Sequence, residues 1–186
     1  MTEKTPIIRT ILALLALLLA APIAAQQADM SAFKTGPVFE EFGRHAAVKG
    51  VEISPLERFA VAFDLVEAAE EGRNRGLESA ARFINMHVAA GVPEDRVEVA
   101  VVVHGPALRD LLTDEAREAK GFGKTNPSGA MVRALLDHGV RIIVCGQSAA
   151  ASGIARADLI PGIEMELSAM TAHAKLQQSG YTLNPF

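Results

Sequence analysis

Hydrophobic positions along the chain follow two alternating patterns: short runs dense in valine, isoleucine and alanine, and longer stretches in which apolar residues recur every three or four positions. The segment "ERFAVAFDLVE" (57–67) has the first character and predicts a strand running through Phe63. "GLESAARFINMHVAAG" (76–91) has the second: Leu77, Ala80, Ala81, Phe83, Ile84 and Val88 predict a helix that Gly91 ends. "RVEVAVVVHG" (96–105) is nearly continuous in apolar residues, as a central parallel strand buried on both faces would be. "PSGAMVRALLDHG" (127–139) reads as a helix stopped by Gly139, and "VRIIVCG" (140–146) as the next strand. A short helix start follows in "QSAAASGI" (147–154). "PGIEMELSAMTAHAKLQQSG" (161–180) predicts a proline-marked turn and then the longest helix, and "YTLNPF" (181–186) a last strand.

Strands alternating with helices through short connections predict one α/β domain over 56–186, a mostly parallel sheet with helices on both faces. Residues 26–55 lack either pattern and are broken by Gly36-Pro37, Gly43 and Gly50, which predicts a loose N-terminal arm with at most a short strand. Residues 1–25 carry Lys4 and Arg9, an apolar core from Ile11 to Ala21 and small residues to Ala25. That is the make-up of a secretory signal peptide, and the uncharged run is short for a membrane span. Export to the periplasm and cleavage after Ala25 are therefore expected, with no membrane attachment afterwards.

Cleavage would remove Lys4, Arg9 and Glu3 and leave 16 basic against 21 acidic residues. A chain this acidic has no electrostatic attraction for nucleic acid. It also has a single cysteine, so no internal disulfide can form. In an oxidising compartment a lone thiol is either buried or used, and the residues around Cys145 bear on which.

In parallel α/β sheets ligands bind at the carboxyl ends of the strands, where amides of the following helices point outward. Asp64, His104 and Cys145 each follow a predicted strand and so meet at that rim. Gly146 would make the turn, and amides of Gln147 and Ser148 at a helix start would favour thiolate over thiol at Cys145. Ser148 is otherwise a cap or first-turn residue, since "GQSAA" lacks the second glycine of a serine-nucleophile elbow. His104, before Gly105, is either bonded to backbone or polarises Cys145 or its ligand.

Asn85 and His87 sit two apart on the first helix and should face different ways; Asn85 is kept as a ligand-binding candidate together with Gly105 and Asn126. Asn126 lies in "KGFGKTNPSGA" (120–130), which lacks phosphate-loop spacing and reads as a mobile loop in which Asn126 caps the next helix. His87, His104 and Cys145 have no metal-site spacing, and neither metal nor cofactor is expected. His45, His138 and His173 read as solvated surface residues.

The segments "ARFINMHVAAGVP", "VVVHGPAL", "TNPSG", "GVRIIVCGQSA" and "LSAMTAHAKLQQSGYTLNPF" occur in this order, and with them roughly residues 36–186 resemble the exported members of the DsrE/DsrF-like sulfur-relay family. The resemblance implies a three-layer, flavodoxin/Rossmann-like fold and assembly into homotrimers or homohexamers. It also implies a persulfide on Cys145, with a small molecule or protein as sulfur donor or acceptor. Two functions follow as expectations: a periplasmic sulfur carrier or sulfurtransferase using Cys145 and His104, or an oligomeric small-ligand-binding module whose pocket Cys145 merely lines. Assembly has a basis in the residues too, because Met165, Leu167, Met170 and Leu176, with Ala169, Ala172 and Ala174, offer more apolar surface than one sheet face should need.

Overall fold

The computed structural model describes residues 30–184; the predicted signal peptide lies outside them. The sheet has five strands, all parallel: β1 (Phe59–Leu65), β2 (Val97–Val103), β3 (Arg141–Cys145), β4 (Glu164–Glu166) and β5 (Thr182–Asn184). Their spatial order is β4-β3-β2-β1-β5. The chain steps outward from β1 to β4 and then returns across the sheet to lay β5 beside β1. The predicted fold class is thus the observed one.

Among the described residues five α-helices accompany the strands: α1 (Arg75–Ala89), α2 (Asp114–Ala119), α3 (Gly129–Asp137), α4 (Gly146–Ala151) and α5 (Ala169–Gln178). Strand side chains alternate between faces, so Val61, Phe63 and Leu65 join Val99, Val101, Val103, Ile142 and Val144 in one large core. α1 and α3 close that core with Leu77, Ile84, Met131 and Leu135, all fully buried. Besides Cys145, the opposite face buries Ala62, Ala100, Val102 and Ile143, under Ala172 and Leu176 of α5. Among the described residues one ten-residue helix covers it.

Residues 31–55 are less loose than their composition predicts. They hold one bridge, Lys34 to His45, and no longer strand, yet Phe39 and Phe42 are buried in the large core. Asn85 fastens them: its carboxamide oxygen accepts the amides of Val38 (3.0 Å) and Phe39 (2.8 Å), and its nitrogen donates to the carbonyls of Phe39, Phe42 and Gly43. Where this segment crosses α1, a Cβ on Gly43 would lie 2.5 Å from the Ala81 carbonyl carbon, and its φ is +66°. Both conditions require glycine.

Two further departures concern strand and helix limits. The segment 161–180 is not one long helix: Glu164–Glu166 pairs with β3, and α5 starts only at Ala169, leaving α1, with 15 residues, the longest helix among the described residues. A three-residue edge strand of sequence Glu-Met-Glu carries no hydrophobic run to betray it. β1 extends past Phe63 to Leu65, so Asp64 lies within the strand. Among the described residues no helix is long and apolar enough to cross a membrane.

Candidate functional site

Cys145 is the last residue of β3 and the residue before α4. Alternation sends Ile142 and Val144 into the large core and puts Cys145 with Ile143 on the α5 side. The thiol is buried, at 5% exposure. Register with β4 sets it opposite Glu166, and on the other flank the last paired residues of β2 and β3 are Val103 and Val144, so His104 leaves β2 beside it.

Four donors converge on the sulfur: the backbone amides of Gln147 and Ser148 in the first turn of α4, the Ser148 hydroxyl, and the backbone amide of Ala169 at the start of α5. Burial alone pushes the Cys145 thiol up, but these hydrogen bonds outweigh it and hold the thiol below its usual range. The thiolate is the nucleophilic form. Ser148 has a second contact, its Oγ accepting the Gly105 amide at 3.1 Å. One hydroxyl thereby links the exit of β2 to the cysteine.

Two chain segments must approach closely to bring α4 and α5 to the same sulfur. A Cβ on Gly146 would come within 2.7 Å of the Glu166 carbonyl oxygen, so the glycine after the cysteine lets the β3 exit lie against the β4 exit. Ser168 then caps α5, accepting the Thr171 amide at 3.1 Å.

Beside the cysteine the same rim carries a carboxylate between two imidazoles. Asp64 Oδ1 lies 2.7 Å from His173 Nε2, and Asp64 Oδ2 lies 3.2 Å from His104 Nε2. Burial raises the Asp64 carboxyl, but the hydrogen bonds from His173 and His104, and the charge of those imidazoles, lower it further and keep it below the ordinary carboxylate range. His173 Nδ1 is buried without a hydrogen-bond partner. Farther along the rim Lys175 Nζ contacts both carboxylate oxygens of Glu166, at 2.7 and 2.9 Å.

Of the residues predicted for the site, Asp64, His104, Gly105, Cys145, Gly146, Gln147 and Ser148 are brought to one rim. Gln147 is exposed and its side chain reaches the Leu167 carbonyl at 3.3 Å. Asn85 and Asn126 are placed elsewhere, buried with their amides engaged. Asn85 ties down the N-terminal segment as described. Asn126 donates to the carbonyls of Asp110 and Leu112 and accepts the Ser128 amide two residues on, as a turn asparagine does.

The histidines read as solvated are not so. His45 is buried and bonded to the Gly36 carbonyl, His138 meets Glu94 and the edge of Phe39, and His173 grips Asp64. His87 packs on Phe59 and Phe83, on the large-core side. Among the described residues no group of three or more His, Cys, Asp or Glu has metal-holding geometry. A cavity of about 420 Å³ opens at the opposite end of the strands, between Glu94, Glu98, His138, Arg141 and Tyr181.

The reading from sequence missed Ala169 and His173. Both follow from the true start of α5, for which Ser168 with Thr171 three residues later was the available capping signal.

Residues 60–185 match the model of the DsrE/DsrF-like family. Among solved structures, the chain is similar to the "Protein of Unknown Function MTH1491 from Methanobacterium thermoautotrophicum", at 23% identity and a TM-score of 0.52, over 69% of this chain and 99% of that one. That likeness is one of fold. No curated protein matches the chain.

Proposed function

The chain belongs to the DsrE/DsrF-like family, and from that premise we propose that it is a sulfur carrier or sulfurtransferase in which Cys145 accepts sulfane sulfur as a persulfide and passes it on. The observation that supports this reading is the convergence of the Gln147, Ser148 and Ala169 amides and the Ser148 hydroxyl on one sulfur. Such a nest lowers the cost of the negative charge that the attacking thiolate bears, and that a persulfide anion bears afterwards. His104, at the exit of the neighbouring strand, is the acid–base group of the site.

Mass spectrometry of the intact protein after incubation with polysulfide or thiosulfate tests this: added multiples of one sulfur on Cys145, absent in Cys145→Ser, are the expected result. If no donor leaves an adduct, the carrier reading fails and a ligand-binding role lined by Cys145 takes its place.

The setting belongs to the same proposal: export through residues 1–25, and a homotrimer or homohexamer in the periplasm. α5 turns Ala172 and Leu176 to its own sheet, but Leu167 and Met170 stand 70% and 80% exposed beside the cysteine rim, and a neighbouring subunit on them would shield the thiol from oxidants. Light scattering at micromolar concentration should give a multiple of the single-chain mass. A single-chain mass would remove the shielding role.

A further inference from the structure

Asp64 is held in its ionised form, and a carboxylate only accepts hydrogen bonds, so both imidazoles that touch it must present an N–H at Nε2. In each ring Nδ1 is left as the nitrogen free to exchange a proton. The two rings are not equivalent. His173 Nδ1 is buried and unpartnered, whereas the His104 side chain is 29% exposed at the mouth of the rim.

His104 is also the ring tied to the cysteine segment. It follows Val103, the last residue of β2 paired to β3, and the amide of its neighbour Gly105 is bonded to Ser148 Oγ. His173 lies one helical turn beyond Ala169, whose amide reaches the sulfur, so the two share a face of α5. The carboxylate between the rings comes from a third element, β1.

We propose that Asp64 and His173 are positioning residues that fix His104 with Nδ1 toward the cleft, where it donates a proton to the sulfur displaced when Cys145 attacks its donor. The inference rests on the reading of Cys145 as a sulfur acceptor. Cys145 Sγ, as thiolate, attacks the outer sulfur of R–S–SH; the new S–S bond forms, the old one breaks, and its electron pair leaves on R–S⁻. His104 in its protonated form passes the Nδ1 proton to that sulfur. The products are Cys145–S–SH, R–SH and a neutral imidazole, which solvent reprotonates. His173 holds the second carboxylate oxygen, so that Asp64 cannot swing away from His104.

The consequence is a dependence on the leaving group. Displacing a strongly basic alkyl thiolate needs the proton, displacing a weakly basic aryl thiolate needs it less, and displacing iodide needs none. Three reagents that the same thiolate attacks separate these cases in the full-length protein: 2-hydroxyethyl disulfide, an aromatic disulfide with a stabilised leaving thiolate, and iodoacetamide. His173→Leu, which removes the donor to Asp64, should slow the first reaction about tenfold or more, the second less, and iodoacetamide less than about twofold. His173→Gln keeps an N–H to offer Asp64 and should recover most of the loss. A purely structural His173 would slow all three alike, and that outcome, or no loss with any reagent, overturns the proposal. Should His173→Leu fail to fold, Asp64→Asn breaks the bridge from β1 and must show the same graded loss. Thiol–disulfide exchange proceeds at Cys145 whether or not sulfane sulfur is its natural cargo, so failure of the persulfide experiment and failure of this one are distinguishable.

Discussion

The two faces of the sheet are built to different specifications. One carries Leu, Ile, Val and Phe side chains from β1, β2 and β3 under α1 and α3, with Phe39 and Phe42 drawn in from the N-terminal segment. The other carries Ala62, Ala100, Val102 and Ile143 under α5. Buried apolar area stabilises at roughly 25 cal/mol per Å², so the first face dominates stability. The second gains something else from its small residues: α5 approaches closely enough for its first amide to reach a strand-end thiol. Stability and chemistry are thus divided between the two sides of one sheet.

The division can be broken most forcefully from the large face. Ile84 is fully buried on α1, and Ile84→Ala should cost about 2–5 kcal/mol, lowering the urea midpoint. The pH at which alkylation of Cys145 is half-maximal should stay where it is in the parent protein. A shift of that titration would show that the faces are coupled.

Gly146→Ala sharpens the contrast from the other side. The added methyl would meet the Glu166 carbonyl at 2.7 Å, backbone that cannot rotate away. A cost of about 1–3 kcal/mol is expected. Here the thiol titration should move as well, toward higher pH, because separating β3 from the β4 exit withdraws the Ala169 amide.

Ser148→Ala isolates one donor. Stability should change by about 1 kcal/mol at most, while half-maximal alkylation moves upward as the Cys145 thiolate loses the Ser148 hydroxyl as a donor. An unchanged titration would assign the thiol's acidity to the amides alone.

The smallest effect belongs to Asp64, which is partly exposed. Its folded-state ionisation lies below the ~3.9 of an unfolded aspartate, so its contribution to stability is present above that pH and is lost as pH falls through the folded value. Asp64→Asn should therefore be slightly less stable than the parent at neutral pH, and the gap should close in acid. Chemical denaturation at a series of pH values measures it; a gap that widens in acid would contradict the pairing.

These experiments also bear on what the amino-acid sequence could disclose. β2 and α1 were legible because burial on both faces, or on one stripe, writes a period into the chain. The rim was legible for a topological reason: Asp64, His104 and Cys145 all leave parallel strands at the same end. Asn85 and Asn126 were misread because an asparagine that fastens buried backbone looks, in sequence, like one that meets a ligand. His173 was misread because its partner, Asp64, is 109 residues away. β4 escaped because three residues are too few to carry a period.

One of the four donors to Cys145 comes from α5, a helix held by only two fully buried side chains of its own, Ala172 and Leu176. Partial openings of a protein begin where the least apolar surface must be exposed. On warming, α5 should therefore lift from the sheet before α1 and α3 loosen, and the thiol should lose its acidity while most of the fold is intact. The cysteine then works as a gauge: its reactivity at fixed pH, followed against temperature and set beside the hydrogen-exchange protection of α1, reads out how firmly the last helix is docked.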